Sequence, residues 1–260
     1  MSEPNVLFER DGDVAIVTLN RPNAMNTMNF DLAHELRLAA ERCGSEGVRA
    51  AVVTGNGRAF SAGGDLASFA DTDEPRALLK SITVELHAAQ VAFASLDAPV
   101  IAAVNGTAAG AGLSLAASCD LALAADTAKF TMAYTGAGLA PDGGSTYYLP
   151  RLIGLRRTQE LMITNRVLSA AEALDWQLIN RVVPADELQA EARALAAKLA
   201  SGATLAIGAA KRTLLASTAR DLAEQLDLEG DAISGLSETA DGQEGIRAFL
   251  EKRKPVFKGQ

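Results

Sequence analysis

Histidine, cysteine and tryptophan are scarce in this 260-residue chain, at two, two and one. Two cysteines, Cys43 and Cys119, support no disulfide framework and predict a reducing compartment. No Cys/His cluster has metal-ligand spacing, so no metal site is predicted. No apolar run approaches the ~18 residues that a membrane span requires. The opening Met-Ser-Glu-Pro-Asn lacks the charged and apolar regions of a signal peptide, and the expectation is a cytoplasmic protein without a membrane span. Basic residues are outnumbered, 24 Lys and Arg against 32 Asp and Glu, and the formal net charge of −8 argues against nucleic acid as a partner. The phosphate-cradling Gly-Lys-Ser/Thr and the Gly-x-Gly-x-x-Gly spacing are both absent, which disfavours nucleotide-triphosphate and dinucleotide chemistry.

What is present is apolar residue content of 48%, enough for one large core. Val6 to Arg10 and Val14 to Leu19, flanking Asp11-Gly12-Asp13, predict a β-hairpin. Phe30 to Cys43 predicts a helix with Asn29 as N-cap. Pro75 to Asp97 places Leu79, Ile82, Leu86, Ala89, Phe93 and Leu96 on one side of a long amphipathic helix. Ser169-Ala-Ala-Glu172 is a capping box opening another. After Pro184 the pattern is helical only, over Asp186 to Ser201, Thr204 to Ser217, Leu222 to Gly235 and Gln243 to Lys252. The alternation of strands and helices before that point predicts an α/β core over 1–184, and an all-helical region over 185–260.

Two strand-to-glycine junctions stand out. Pro99 to Gly112 runs from an apolar strand through a Gly/Ala turn into a helix of small residues. Ala50-Ala-Val-Val-Thr54 leads through Gly55-Asn56-Gly57 into Arg58-Ala-Phe-Ser-Ala-Gly-Gly-Asp-Leu66. Bare backbone N–H groups at such turns suit an anion or a carbonyl oxygen gaining negative charge, and two of them aimed at one oxygen form an oxyanion hole. Small residues are equally what a crowded strand-helix junction requires, and the two readings stand side by side.

Five segments, in order along nearly the whole chain, decide the matter further. Asn20-Arg-Pro-Asn-Ala-Met-Asn26, Ala59-Phe-Ser-Ala-Gly-Gly-Asp65, Pro99-Val-Ile-Ala-Ala-Val-Asn-Gly106, Pro141-Asp-Gly-Gly144 and Phe249-Leu-Glu-Lys-Arg-Lys-Pro255 resemble the crotonase, or enoyl-CoA hydratase/isomerase, family. The resemblance implies a spiral of ββα repeats with a C-terminal helical region that packs against neighbouring subunits in a trimer, often paired into a hexamer. It implies an acyl-CoA thioester as substrate and no cofactor beyond that coenzyme A. It places the oxyanion donors at the N–H groups of Ala62 and Ala111. Near the pantetheine, adenine or phosphates it places Ala24, Met25, Ala62, Gly63, Gly64, Asp65 and Leu66, with Phe249 and Lys252 from the tail, and it adds Gly110 and Tyr134 to the residues that bind the substrate. Arg247, Lys252, Arg253, Lys254 and Lys258 form a basic cluster suited to phosphate, and equally suited to a helix C-terminus.

Family hydratases supply two glutamates, and here Ser114 and Tyr134 occupy those positions. Neither a serine nor a phenol with an ordinary pKa near 10 deprotonates water at neutral pH. One carboxylate remains, Asp142 in the Pro141-Asp-Gly-Gly144 turn, where it reads either as a helix N-cap or as a base. The stretch resembles the single-aspartate isomerase branch, in which one carboxylate moves a proton between two carbons. Burial beside an acyl chain is expected to strengthen such a base. His87 gives an alternative. In the aroyl-CoA dehalogenase branch a histidine at similar spacing serves a nucleophilic aspartate. A third possibility is an acyl-CoA-binding protein without catalysis. Gln177, where the family often carries glycine, is expected to alter a helix end.

Overall fold

The structure, a computed structural model, describes residues 3–260. Strands β1 (Val6–Asp11) and β2 (Val14–Leu19) form the expected hairpin, in the register Val6↔Leu19 to Asp11↔Val14. Helix α1 (Phe30–Ser45) follows, and the Asn29 side chain caps it by accepting from the Leu32 N–H at 3.0 Å. Next come β3 (Ala50–Gly55), β4 (Ala59–Ser61), the short α2 (Leu66–Ala70) and the long α3 (Pro75–Ser95). The second unit is β5 (Val100–Val104), β6 (Thr107–Ala109) and α4 (Ala111–Ser118). A third is β7 (Leu121–Ala125), β8 (Lys129–Thr131) and α5 (Ser145–Thr164), which is broken at Gly154. Strand β9 (Leu168–Ser169), α6 (Ala170–Asp175) and β10 (Arg181–Val183) close the strand-bearing part.

Each unit thus contributes one longer and one short strand, and the two go to different sheets. The long ones, joined at one edge by the three-residue β10, build a six-stranded sheet, β1-β2-β3-β5-β7-β10, parallel from β2 onward. The short ones build a second sheet, β4-β6-β8-β9. This is the expected spiral of ββα repeats. One detail differs from the sequence reading: strand and helix are not joined by a single Gly/Ala turn, because three-residue strands β4 and β6 intervene. Their run is too short for alternation to show, and both are buried through tertiary pairing.

The apolar stripe of α3 is confirmed at Ile82, Leu86, Ala89 and Phe93, which are buried against the core. The polar Gln90 is buried with them. Ser169 and Glu172 complete the capping box of α6. After it, Gln177 holds a left-handed conformation at φ 65°, the conformation in which glycine is the least strained residue.

Four helices follow β10: α7 (Leu188–Ala200), α8 (Thr204–Ala216), α9 (Leu222–Ser237) and α10 (Ala240–Leu250). Helix α7 lies across β2, β3, β5 and β7 of the large sheet. The end of the chain is tied back onto α10. The buried Asp241 carboxylate accepts from the N–H groups of Lys258 and Gly259, each at 2.7 Å, and Arg49 reaches the Phe257 carbonyl. Helix α9 buries none of its residues, and Leu222, Ile233, Phe249 and Leu250 are among the most exposed apolar side chains.

Candidate active site

The centre of the site is built by glycine. Gly112, in the first turn of α4, lies so close to β4 that a Cβ there would sit 2.2 Å from the Ser61 carbonyl oxygen. That approach brings the N-terminus of α4 against the turn following β4. Gly110, with φ 48°, is the N-cap residue of α4 and leaves the first N–H groups of the helix uncapped by any side chain. The Ala111 N–H has no acceptor among the described residues. On the facing turn, Met28 donates to the Gly63 carbonyl and the Asp65 N–H donates to the Met28 carbonyl, so Gly64 falls between two ladder bonds with its own N–H unpaired.

This corrects the expectation for Ala62. Its N–H donates to the Met25 carbonyl at 3.0 Å and is not free to receive a ligand oxygen. The unpaired donor of this turn is two residues on, at Gly64. Which N–H is spoken for depends on a carbonyl from a distant turn, and no local pattern carries that information.

Both turns open into a cavity of about 650 Å³, mouth included. Its walls are apolar: Met28, Leu66, Phe69, Ile82, Leu86 and Leu139. Ala62, Gly63, Gly64, Gly110, Ala111, Tyr134 and Asp142 all line it, so the structure gathers these sequence-predicted residues around one space. Others it does not bring there. Ala24 and Met25 form a turn that meets the site only through the Met25 carbonyl. The Asp65 carboxylate binds Arg21 at 2.9 Å and caps α2 through the Ser68 N–H. Phe249, at 82% exposure, and Lys252 lie outside the cavity wall, and Arg253 of the basic cluster is held by Glu244 and Glu251.

Asp142 is not a helix cap. The N-cap residue of α5 is Gly144, in the left-handed region, and no side chain caps that helix. The turn carrying Asp142 is instead gripped by its main chain: Ser114 Oγ donates to the Asp142 carbonyl at 2.8 Å, and Gln90 Nε2 to the Gly143 carbonyl at 2.8 Å. The carboxylate is half-buried, less enclosed than expected, and its Oδ1 lies 3.0 Å from His87 Nε2. Tyr134 adds a hydroxyl that is buried without a hydrogen-bond partner among the described residues. Burial, chiefly, pushes its pKa up to about 12, and the Asp142 charge adds to the rise. The phenol is therefore a neutral donor in this cavity. Sequence reasoning passed over Gln90, although a lone amide within the apolar stripe of α3 was a visible signal.

The chain matches the family model described as Enoyl-CoA hydratase/isomerase over residues 9–260. It belongs to that family. As an enoyl-CoA hydratase/isomerase family member, it is 40% identical over 260 residues to a probable enoyl-CoA hydratase of Rhodobacter capsulatus, covering 100% of both chains. It is 37% identical over 258 residues to the 1,2-epoxyphenylacetyl-CoA isomerase of Escherichia coli, covering 98% of each. Its fold superposes on an enoyl-CoA hydratase subunit from Geobacillus kaustophilus with a TM-score of 0.90, at 36% identity and 98% coverage of each chain. An acyl-CoA enzyme of the hydratase/isomerase type is thus established, and the crotonase fold with it. Behind the cavity the Ser114 hydroxyl is committed to main-chain carbonyls, those of Gly110 and Asp142.

Proposed function

We propose that this enzyme is an acyl-CoA isomerase in which Asp142 is the acid-base group that takes a proton from one carbon of the acyl group and delivers one to another. The observation behind this reading is that Asp142 is the single carboxylate in the wall of the apolar cavity. The substrate's thioester oxygen accepts hydrogen bonds from the Gly64 and Ala111 N–H groups, each stabilising the enolate by about 3 kcal/mol. Asp142 removes the α-proton of a 3-enoyl thioester and returns one to the γ-carbon, giving the conjugated 2-enoyl isomer. No step calls on a metal or on a cofactor beyond the coenzyme A of the substrate. The tail residues Phe249 and Lys252 contact coenzyme A once subunits assemble, and the exposed apolar faces of α9 and α10 support a homotrimer or a dimer of trimers. Unpaired Cys43 and Cys119 fit a cytoplasmic setting.

Hydration needs a second group to activate water, and beside Asp142 the cavity wall offers only the hydroxyls of Tyr134 and Thr83, neither of them a base at neutral pH. Side-by-side assay of trans-3-hexenoyl-CoA and crotonyl-CoA is expected to give isomerisation faster than hydration by at least about 100-fold, the scale on which one missing acid-base group acts. Hydration matching isomerisation would overturn the reading. The His87–Asp142 contact favours a second one, in which the Asp142 carboxylate attacks a ring carbon and His87 activates the water that frees it. Halide release from a 4-halobenzoyl-CoA in the same panel would select it. Acyl-CoA binding without turnover on any member would select a non-catalytic binding protein.

A further inference from the structure

Asp142 stands in a partition. On one side is the apolar cavity already described. On the other is an open groove lined by His87, Gln90, Val91, Pro141, Tyr147 and Leu215, and Asp142 is common to both. His87 is part of the groove wall but not of the cavity wall. Its ring is nearly half exposed, its Nε2 meets Asp142 Oδ1 at 3.0 Å, and its Nδ1 has no hydrogen-bond partner among the described residues. The histidine thus bridges the carboxylate and solvent on the face away from the acyl chain.

A purely positioning role is already filled. Ser114 and Gln90 fix the Asp142 turn through its carbonyls, from two different helices, and a third tie from a flexible exposed side chain adds little to that. What His87 adds is a second basic nitrogen. Imidazole accepts a proton on one nitrogen and releases another from the opposite one, so it exchanges protons between groups on its two sides.

We infer that His87 relays protons between Asp142 and solvent, so that the isomerised product takes its new proton from water and not from its own α-carbon. The inference rests on the proton-shuttle reading of Asp142. In the first half, the α C–H bond breaks, its electron pair passes into the enolate held by Gly64 and Ala111, and an O–H bond forms on Asp142. That proton moves to Nε2 of the His87 tautomer that carries its hydrogen on Nδ1, and the Nδ1 proton leaves to water. In the second half a solvent proton returns by the same atoms in reverse and forms the γ C–H bond. The enzyme ends as it began, and no redox partner is required. Without the relay, Asp142 exchanges its proton only through its own partly exposed carboxyl, and direct return gains at the expense of labelling.

The test is product labelling in deuterated water, with trans-3-hexenoyl-CoA as the probe and mass spectrometry of equal amounts of 2-hexenoyl-CoA as the readout. The wild type is expected to place solvent deuterium at the γ-carbon in most turnovers. His87→Gln keeps a side chain that can hydrogen-bond Asp142 but has no basic nitrogen, and is expected to cut the labelled fraction at least about five-fold. The fraction is read per product molecule, so a slower variant is still informative, and His87→Asn gives the same readout should the Gln variant fail to fold. Equal labelled fractions in wild type and variant, or transfer without label in the wild type, would overturn the relay. Asp142→Asn separates the two levels of the argument. If that variant retains wild-type rate, the shuttle itself fails; if it is inactive while His87→Gln labels normally, only the relay fails.

Discussion

Asp142→Asn is expected to lower kcat for 3-enoyl-CoA isomerisation by about a thousand-fold, within the range that one positioned acid-base group contributes. The substitution is close to isosteric and removes basicity while keeping an oxygen that can accept from His87. The turn survives because its anchors, Ser114 Oγ and Gln90 Nε2, hold the carbonyls of Asp142 and Gly143 and not the carboxylate. The apolar walls and the Gly64 and Ala111 donors are untouched, so KM should move by no more than about three-fold, the signature of a group that acts in the transition state. Steady-state kinetics beside a far-UV circular dichroism spectrum makes the check. An undiminished kcat in a folded variant removes Asp142 from the chemistry.

The second large effect comes from a residue with no side chain. Gly112→Ala sets two terms against each other. Alanine is the better helix former by about 1 kcal/mol, which alone predicts a more stable protein. The new Cβ, however, would lie 2.2 Å from the Ser61 carbonyl oxygen and 2.7 Å from its Cβ, on a strand that cannot move as a side-chain end can. Overpacking of that kind costs about 3 kcal/mol and outweighs propensity. The strain is relieved by moving α4 off β4, which draws the Ala111 N–H away from Gly64. A displacement of about 1 Å between catalytic groups is expected to lower kcat/KM by about 100-fold. Denaturant unfolding with kinetics on the folded fraction measures both, and a raised unfolding midpoint would show that the junction is less tight than described.

Those two sites differ in how far the sequence revealed them. The hairpin, the Asn29 cap, the capping box at Ser169 and the stripe of α3 were legible because each is written in local spacing. The glycine junctions were legible as small-residue turns with Ala111 as one donor, but which N–H of the Ala62–Gly64 turn is unpaired was not. Ala62 and Gly64 look alike along the chain, and only the Met25 carbonyl distinguishes the engaged N–H from the free one. Asp142 was left open between cap and base, and the left-handed Gly144 at the head of α5 removes the cap. His87 entered only as an alternative base, through a resemblance in spacing. Its partner lies 55 residues away, and that pairing exists only once α3 and the Asp142 turn are folded against each other.

The arrangement of two backbone donors and one carboxylate around a single acyl group is most directly tested by the structure of the enzyme with a bound, unreactive acyl-CoA analogue. The thioester oxygen should lie about 3 Å from both the Gly64 and Ala111 nitrogens, with an Asp142 carboxylate oxygen within about 3.5 Å of the α- or γ-carbon. A thioester oxygen bound elsewhere, or an Asp142 carboxylate beyond about 5 Å from both carbons, would contradict the account.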